Sequence, residues 1–242
     1  MHDAAHGCVP GRSVRTAVTP HAGSTVVLQM DLESFFASIP AGRVHGWLQG
    51  TAGLPEPVAH TVTGLVTTVL PLAVWRRVPV PREHAARERH RRLGERLAVP
   101  HLPQGAPTSP ALANLVCFRL DRRLAGLAAA FGATYTRYVD DLTFSGNPTL
   151  RGGRLAEVVT QVVTDEGFRA NPAKTRTTAA ARRQAVLGTV VNAGPKLPRP
   201  ERDALRALLH HCAVHGCGRR SATAIPRASA TTCWAGWRGR RR

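Results

Sequence analysis

The chain has 242 residues and is 43% hydrophobic, so it can bury the core of one or two domains. Its 33 Lys and Arg residues outnumber its 15 Asp and Glu residues, and the net charge of +18 favours a polyanionic partner. No apolar run reaches the roughly 20 residues that span a bilayer, and the 5 cysteines are scattered, so we expect a cytoplasmic protein without a membrane partner or a disulfide framework.

In the first half of the chain, apolar periodicity, Pro positions and charge patterning predict a mixture of strands and helices. The first strand is short, β-branched and apolar, which is typical of a buried strand. The predicted elements are a strand at 26–30, helices at 36–48 and 57–70, an exposed Arg-rich helix at 81–97, a loop at 103–110, and a helix at 112–127 with Ser109 as its N-cap.

In the second half, two strand-like runs flank the dipeptide Asp140-Asp141. A connection of two residues between such runs is typical of a β-hairpin. The predicted elements are strands at 134–139 and 142–145, a helix at 155–164, a β segment at 184–192 and an amphipathic helix at 202–212.

A cluster of His and Cys residues lies at the end of the last predicted helix. No second ligand pair stands at the spacing of a zinc site, so the pattern favours the end of an amphipathic helix, with a zinc site as the alternative. The cluster consists of His210, His211, Cys212, His215 and Cys217.

Three aspartates stand where predicted strands end. Asp31 closes the first strand, and Asp140 and Asp141 lie at the tip of the predicted hairpin. Carboxylates that converge at strand ends repel one another and are costly to desolvate, so we expect divalent cations there. Two Mg²⁺ ions can clamp the attacking and leaving oxygens of a phosphoryl transfer. Taken alone, Asp140-Asp141 is equally typical of an ordinary hairpin turn.

Four sequence blocks occur in a fixed order along the chain: MDLESFFASI at 30–39, LPQGAPTSP at 102–110, YVDD at 138–141 and GFRANPAKT at 167–175. Together they resemble the reverse transcriptases of bacterial retrons and, more distantly, those of group II introns. The resemblance extends from about residue 6 to about residue 215. It implies an α+β polymerase palm, an antiparallel sheet with packed helices, accompanied by partial fingers and the start of a thumb.

The resemblance also implies roles for the residues around the carboxylates. Asp31, Asp140 and Asp141 match the catalytic aspartates that hold two Mg²⁺ ions, and Leu32 is expected to bind both the metal and the nucleotide. Since such enzymes copy RNA into DNA, the implied partners are an RNA template, a DNA or RNA primer, and dNTPs.

Four further residues are expected to bind the substrate. Phe36 matches an aromatic steric gate that excludes a ribose 2′-OH, and Gln104 and Gly105 match the loop that contacts the incoming nucleotide and the template. Lys174 is similar to a lysine near the triphosphate. The alternatives are a core position for Phe36, a loop-capping role for Gln104 and a solvated surface charge for Lys174.

Some features depart from the retron pattern. Residues 16–21 stand in place of an Asn-Ala-x-x-His block, and residues 186–188 in place of Val-Thr-Gly. Arg12 resembles a family position that reaches phosphate. The departures in these two blocks leave a related bacterial lineage open. A group II intron-type enzyme and a catalytically impaired RNA-binding remnant are two further alternatives.

The resemblance divides the chain into segments with different expected roles. The expected segments are residual fingers at 1–25 with the preceding fingers sequence missing, the palm at 26–195 with fingers-side helices around 50–100, the start of the thumb at 196–217, and a basic, disordered tail at 218–242. The tail contains no acidic residue, and a frameshift product and a nucleic-acid-binding tail are both open interpretations. A structured non-coding RNA partner and a role in antiviral defence are further implications of the resemblance.

Overall fold

An antiparallel sheet of four strands forms the centre of the molecule in this computed structural model, which describes residues 1–215. A two-stranded hairpin forms a second, separate sheet. The strands are β1 (Val26–Asp31), β2 (Thr134–Tyr138), β3 (Asp141–Gly146), β4 (Arg176–Ala179), β5 (Ala185–Val186) and β6 (Thr189–Val190). The central sheet has the strand order β2-β3-β1-β4, and β5 pairs with β6.

Helices surround this sheet, with short 3₁₀ turns at Thr19–His21, Phe36–Ser38 and Pro148–Gly152. No helix within residues 1–215 has both the length and the apolarity that crossing a bilayer requires. The α-helices are α1 (Val14–Val18), α2 (Ala41–Gly50), α3 (Glu56–Val66), α4 (Leu72–Trp75), α5 (His84–Leu97), α6 (Ser109–Val116), α7 (Phe118–Ala130), α8 (Arg154–Asp165) and α9 (Arg199–His215).

Strand β1 is covered on both faces, which explains its continuous apolar sequence. Leu28 and Met30 belong to the main core, together with apolar side chains of α7 and α8. Val27 belongs to a second, smaller cluster with Val18 and Val186. The strand therefore lies between two apolar layers, and its position in the molecule is fixed by both.

The expected α+β architecture is confirmed. Strand β1 and the β2-β3 hairpin lie where the sequence predicted them, and α8 spans the predicted helix at 155–164. The β segment predicted at 184–192 is the β5-β6 hairpin, and the helix predicted at 202–212 is the longer α9. Residues beyond 215, including the predicted tail at 218–242, lie outside the described part of the chain.

Two predicted helix boundaries were wrong. The helix predicted at 36–48 is interrupted, because Phe36 starts only a 3₁₀ turn and Pro40 is the N-cap of α2. The helix predicted at 57–70 ends at Val66, because the backbone of Thr68 exchanges two hydrogen bonds of 2.9 Å with His101. A strand-like pairing thus replaces the last helical turn.

The helix predicted at 112–127 is in fact two helices. It breaks at Cys117, which is the C-cap of α6 and the N-cap of α7. Ser109 is not the N-cap, which is Thr108; Ser109 is buried inside α6, and its hydroxyl donates to the Pro103 carbonyl at 2.7 Å. Strand β4 was not predicted, because its sequence is polar and Arg-containing.

The N-terminal segment pairs with the edge of the sheet. The backbone N–H of Arg137 donates to the Ala4 carbonyl at 2.7 Å, and His6 N–H donates to the Arg137 carbonyl at 2.8 Å. Arg12 holds this segment through the backbone carbonyl of Ala5 at 2.8 Å and the side chain of Asp3 at 2.9 Å. Its guanidinium group is therefore engaged in the N-terminal segment rather than placed in the cleft.

Candidate active site

The pairing of β1 with β3 brings the three predicted aspartates together. Asp31 is the register partner of Asp141, at the end where both strands meet the β2-β3 turn. The amide of Leu32 donates to the Asp140 carbonyl at 3.0 Å, which ties the turn to the residue after Asp31. Residues more than 100 positions apart in sequence thus present their carboxyl groups at one end of the sheet.

The electrostatics of this cluster disfavour three negative charges. Burial, followed by the charges of Asp140 and Asp31, raises the pKa of Asp141 to about 7. Burial, reinforced by the Asp31 charge, also raises the pKa of Asp140. Since the ionised forms repel one another in a partly desolvated setting, a cation beside them would be strongly favoured.

One cation already lies beside Asp31. The Lys174 ammonium group is 3.0 Å from Asp31 Oδ1, and its side chain is 63% exposed. The hydrogen bond to Asp31 raises the pKa of Lys174, so the side chain is charged. The sequence predicted Lys174 near the substrate, and in the structure Lys174 contacts the carboxylate of Asp31 directly.

The predicted substrate residues line the same cleft as the carboxylates. A cavity of about 810 Å³ is bordered by the three aspartates, Phe36, Gln104, Gly105 and Lys174. Leu32 is buried, and it borders an adjoining cavity of about 390 Å³. The exposed Gly105 has a φ of +93°, a conformation that side chains rarely adopt, so the loop at this point requires glycine.

The two adjacent phenylalanines are divided between the core and the cleft. Phe35 is buried and stacks on Phe168, with ring centroids 5.7 Å apart. Phe36 is half-buried and borders the cavity beside Asp31 and Gln104. Phe36 also packs against the main core, with its ring centroid 5.3 Å from that of Phe35, so its contact with a substrate stays a prediction.

The carboxylates have the chemistry that Mg²⁺ prefers, because they offer hard oxygen ligands and their mutual repulsion is relieved by a divalent ion. Among residues 1–215, however, no three His, Cys, Asp or Glu side chains are arranged to hold a metal ion as they stand. Lys174 instead neutralises Asp31. The three carboxylates therefore fit a divalent cation by charge and donor type, and such a cation would compete with Lys174 for Asp31.

Only part of the predicted alternative, a zinc site in the His/Cys cluster, lies within the described residues. His210, His211 and Cys212 lie on α9, and they form no metal-binding group with other described residues. Cys217 and the side chain of His215 lie outside the described residues.

Sequence reasoning missed two residues that support the site. The backbone N–H of Asn171 donates to the backbone carbonyl of Asp31 at 2.7 Å, and the side-chain nitrogen of Asn171 lies 3.4 Å from Asp31 Oδ2. Its position three residues before Lys174 was the available signal. Arg137 was hidden in the predicted strand; it is fully buried, and its guanidinium group donates to the Val139 carbonyl at 2.9 Å.

The described residues thus form an antiparallel sheet with three aspartates at strand ends beside an open cleft, which is the arrangement expected of a polymerase palm. Residues 1–191 match the family model described as reverse transcriptase (RNA-dependent DNA polymerase). The chain belongs to this family.

Several curated retron reverse transcriptases are similar to this chain, which confirms the resemblance drawn from the four sequence blocks. The Mx65 enzyme of Myxococcus xanthus is 47% identical over 85% of this chain and 45% of its own length. The Mx162 enzyme of the same organism is 41% identical over 87% of this chain and 44% of its own length. The Ec86 enzyme of Escherichia coli is 30% identical over 87% of this chain and 55% of its own length. The chain thus spans about half the length of these relatives.

A solved structure is also similar. Apo telomerase from Candida tropicalis aligns over 72% of this chain and 33% of the telomerase chain, at a TM-score of 0.43 and 10% sequence identity.

Proposed function

We propose that this chain carries the palm of an RNA-directed DNA polymerase, which adds dNTPs to a primer 3′-OH on an RNA template. The observation that supports this most is the convergence of Asp31, Asp140 and Asp141 beside one cleft. Two bound Mg²⁺ ions would supply charge neutralisation at the reacting phosphate. We assign both ions to the three carboxylates and to the backbone at Leu32.

The protein's own part in this reaction is positioning. Asn171 and the β1-β3 pairing orient Asp31, and the hairpin turn orients Asp140 and Asp141. Lys174 is exposed and charged. In this proposal its ammonium group leaves Asp31, binds the triphosphate and stabilises the charge that develops on the leaving pyrophosphate.

The border of the cleft sets the substrate in this proposal. Phe36 closes the side of the cavity next to Asp31, where a ring leaves no room for a 2′-OH and selects dNTPs over rNTPs. Gln104 and Gly105 form the exposed side, and Gly105 permits close approach of the backbone to the base pair.

The partners follow from this activity. The hybrid of template and product is A-form, so we assign the basic surface to backbone and 2′-OH contacts rather than to base reading. From the family resemblance alone, we extend this proposal to a cognate structured RNA, a cytoplasmic location and a role in antiviral defence.

A second candidate is an RNA-binding remnant without catalysis. It is favoured by the net charge of +18, which promotes binding to a polyanion whether or not catalysis follows. Such a protein would bind template and primer through phosphate contacts but would not extend the primer.

Primer extension on an RNA template with Mg²⁺ separates the two candidates. We expect extension by the unaltered chain, and a loss of at least about a hundredfold in Asp140→Asn, because charge stabilisation at the reacting phosphate is lost. The control is Asp165→Asn, which changes a carboxylate on α8 that pairs with Arg123 and should leave extension unchanged. Tight RNA binding without any extension by the unaltered chain would overturn the polymerase and support the remnant.

A further inference from the structure

The turn that carries Asp140 has a backbone conformation that its sequence does not favour. Val139 has a φ of +58°, whereas Asp140 is not among the residues with positive φ. Positive φ at the first of two turn residues is a position that glycine usually occupies in a hairpin. A β-branched residue is a true outlier there, because its side chain collides with the backbone. Surrounding contacts must therefore hold Val139 in place.

Arg137 supplies a contact from inside the fold. Its Nη1 donates to the Val139 carbonyl at 2.9 Å, on the peptide that leads into Asp140. The carbonyl of Asp140 in turn accepts the Leu32 amide, next to Asp31. A buried guanidinium group is thus linked through two hydrogen bonds to the point where the catalytic carboxylates meet.

The guanidinium group is itself rigidly anchored. Arg137 Nε and Nη2 each donate to a different carboxylate oxygen of Asp121 at 2.7 Å, and both side chains are completely buried. The hydroxyl of Tyr135 donates to the same carboxylate at 3.0 Å, and the guanidinium carbon lies 6.0 Å from the centre of the Phe35 ring. A bidentate pair of this kind fixes the plane of the arginine, which leaves Nη1 directed at Val139.

The N-terminal segment closes the turn from the other side. A Cβ atom added at Gly7 would lie 2.6 Å from Val139 Cγ2 and 2.7 Å from the Val139 nitrogen, so the two backbones approach as closely as glycine permits. The Gly7 carbonyl accepts the side-chain amide of the buried Asn114 at 2.8 Å. Val139 is therefore packed against Gly7 and bonded to Arg137.

We infer that Arg137, locked by Asp121, is a positioning residue that holds Val139 in the left-handed conformation and thereby fixes Asp140 against Asp31. This inference rests on the proposed polymerase function for its kinetic consequences, but the conformational part stands by itself. The buried pair acts through the turn and touches neither nucleotide nor carboxylate cluster. Replacing it should loosen the turn without unfolding the sheet.

The test uses two variants of the full chain. In the first, the triple variant Tyr135→Phe, Asp121→Leu and Arg137→Met, the buried pair is replaced by apolar side chains, an exchange that is often neutral or stabilising for the fold. The second, Arg137→Lys, keeps a cation opposite Asp121 but loses the planar fork that also reaches Val139. It covers the case in which the triple variant does not fold. The control is Arg123→Met, which removes the ion pairs of α7 with Asp165 and Glu166 at the end of α8, away from the turn.

The first measurement is hydrogen exchange of the Leu32 amide, which bonds to the Asp140 carbonyl and reports on the turn without any metal or substrate. We expect at least tenfold faster exchange in the folded Arg137 variants and no change in Arg123→Met. Exchange within twofold of the unaltered chain, in a variant that retains its melting temperature, would overturn the inference.

The second measurement is the kinetics of primer extension. We expect kcat to fall by about a hundredfold, as for a displacement of about 1 Å in a reacting group, while the KM for the primer–template stays within a factor of three. The Mg²⁺ concentration for half-maximal activity should rise, and adding Val139→Gly should restore at least tenfold in kcat. A uniform loss that Val139→Gly does not relieve would overturn the inference. If the unaltered chain does not extend primers, the polymerase proposal fails, and the exchange rates still decide the role of Arg137.

Discussion

Asp141 combines a strongly raised pKa with a half-buried position. Its folded-state pKa of about 7 lies above the ordinary value of 3.8, so ionisation destabilises the folded protein. This penalty is absent below pH 3.8, grows between pH 3.8 and about 7, and is complete above that. A divalent cation would offset it, which links the stability of the turn to metal binding.

Asp141→Asn should therefore stabilise the metal-free protein at pH 8 and have little effect near pH 4. We expect a gain of about 1 to 4 kcal/mol, because a shift of about three pKa units corresponds to at most about 4 kcal/mol, and hence a rise of at least roughly 2–4 °C in melting temperature for a chain of this size. The measurement is thermal unfolding with a chelator at both pH values.

The control has the opposite sign. Hydrogen bonds from Arg123 and Gln161 lower the pKa of Asp165, so Asp165→Asn should lower the melting temperature at pH 8. An Asp141→Asn effect that is equal at pH 4 and pH 8 would contradict a raised pKa.

Most site residues could be predicted from the sequence, because their chemistry is carried by contiguous blocks. Asp31, Asp140 and Phe36 are recognisable from neighbouring residues alone. Arg137 could not be found in this way, because its importance lies in a contact with Asp121, 16 positions earlier in the chain. An arginine in a strand of Thr and Tyr residues is expected at the surface until its buried partner is known.

Helix α5 shows how an exposed, basic element is tied to the site. Arg92 is 19% exposed and lies 3.1 Å from the carboxylate of Glu33, which is buried two residues after Asp31. Arg96 donates to the Glu33 carbonyl at 2.8 Å. The sequence predicted an exposed helix here, and the structure adds that two of its arginines face the turn before Phe36.

Arg92→Met should destabilise the protein by about 1–3 kcal/mol, because it removes a partner of a buried carboxylate. The matched control is Arg91→Met on the same helix. Arg91 is 57% exposed and pairs with Glu88 and Glu95, so its loss should cost less than about 1 kcal/mol. Denaturant unfolding measures both, and equal costs for the two variants would show that α5 is not anchored through Glu33.

Helix existence was more predictable than helix ends. The break between α6 and α7 at Cys117 occurs within a continuous apolar pattern, so periodicity alone could not reveal it. The early end of α3 depends on the pairing of Thr68 with His101, a contact between distant segments. Strand β4 exists because β1 offers a free edge, although the β4 sequence is polar.

At the scale of the whole molecule, the charge of +18 dominates the encounter with nucleic acid. Affinity for RNA should fall steeply with salt, by about 10³-fold or more between 50 and 200 mM if six or more phosphates are contacted. Asp140→Asn should bind RNA with the same salt dependence as the unaltered chain, because it leaves the Lys and Arg side chains in place. Fluorescence anisotropy with a labelled RNA measures this, and a change in affinity below threefold would contradict an electrostatic interface.

The proposed phosphoryl transfer depends on cations shared between Asp31 and Asp140. Diffraction from crystals soaked in Mn²⁺, recorded at a wavelength where manganese scatters anomalously, locates such ions directly. We predict anomalous peaks at about 2.1 Å from carboxylate oxygens of both residues, with Lys174 displaced from Asp31. Crystals that bind Mn²⁺ only elsewhere, with the Lys174–Asp31 pair intact at saturating metal, would contradict the account.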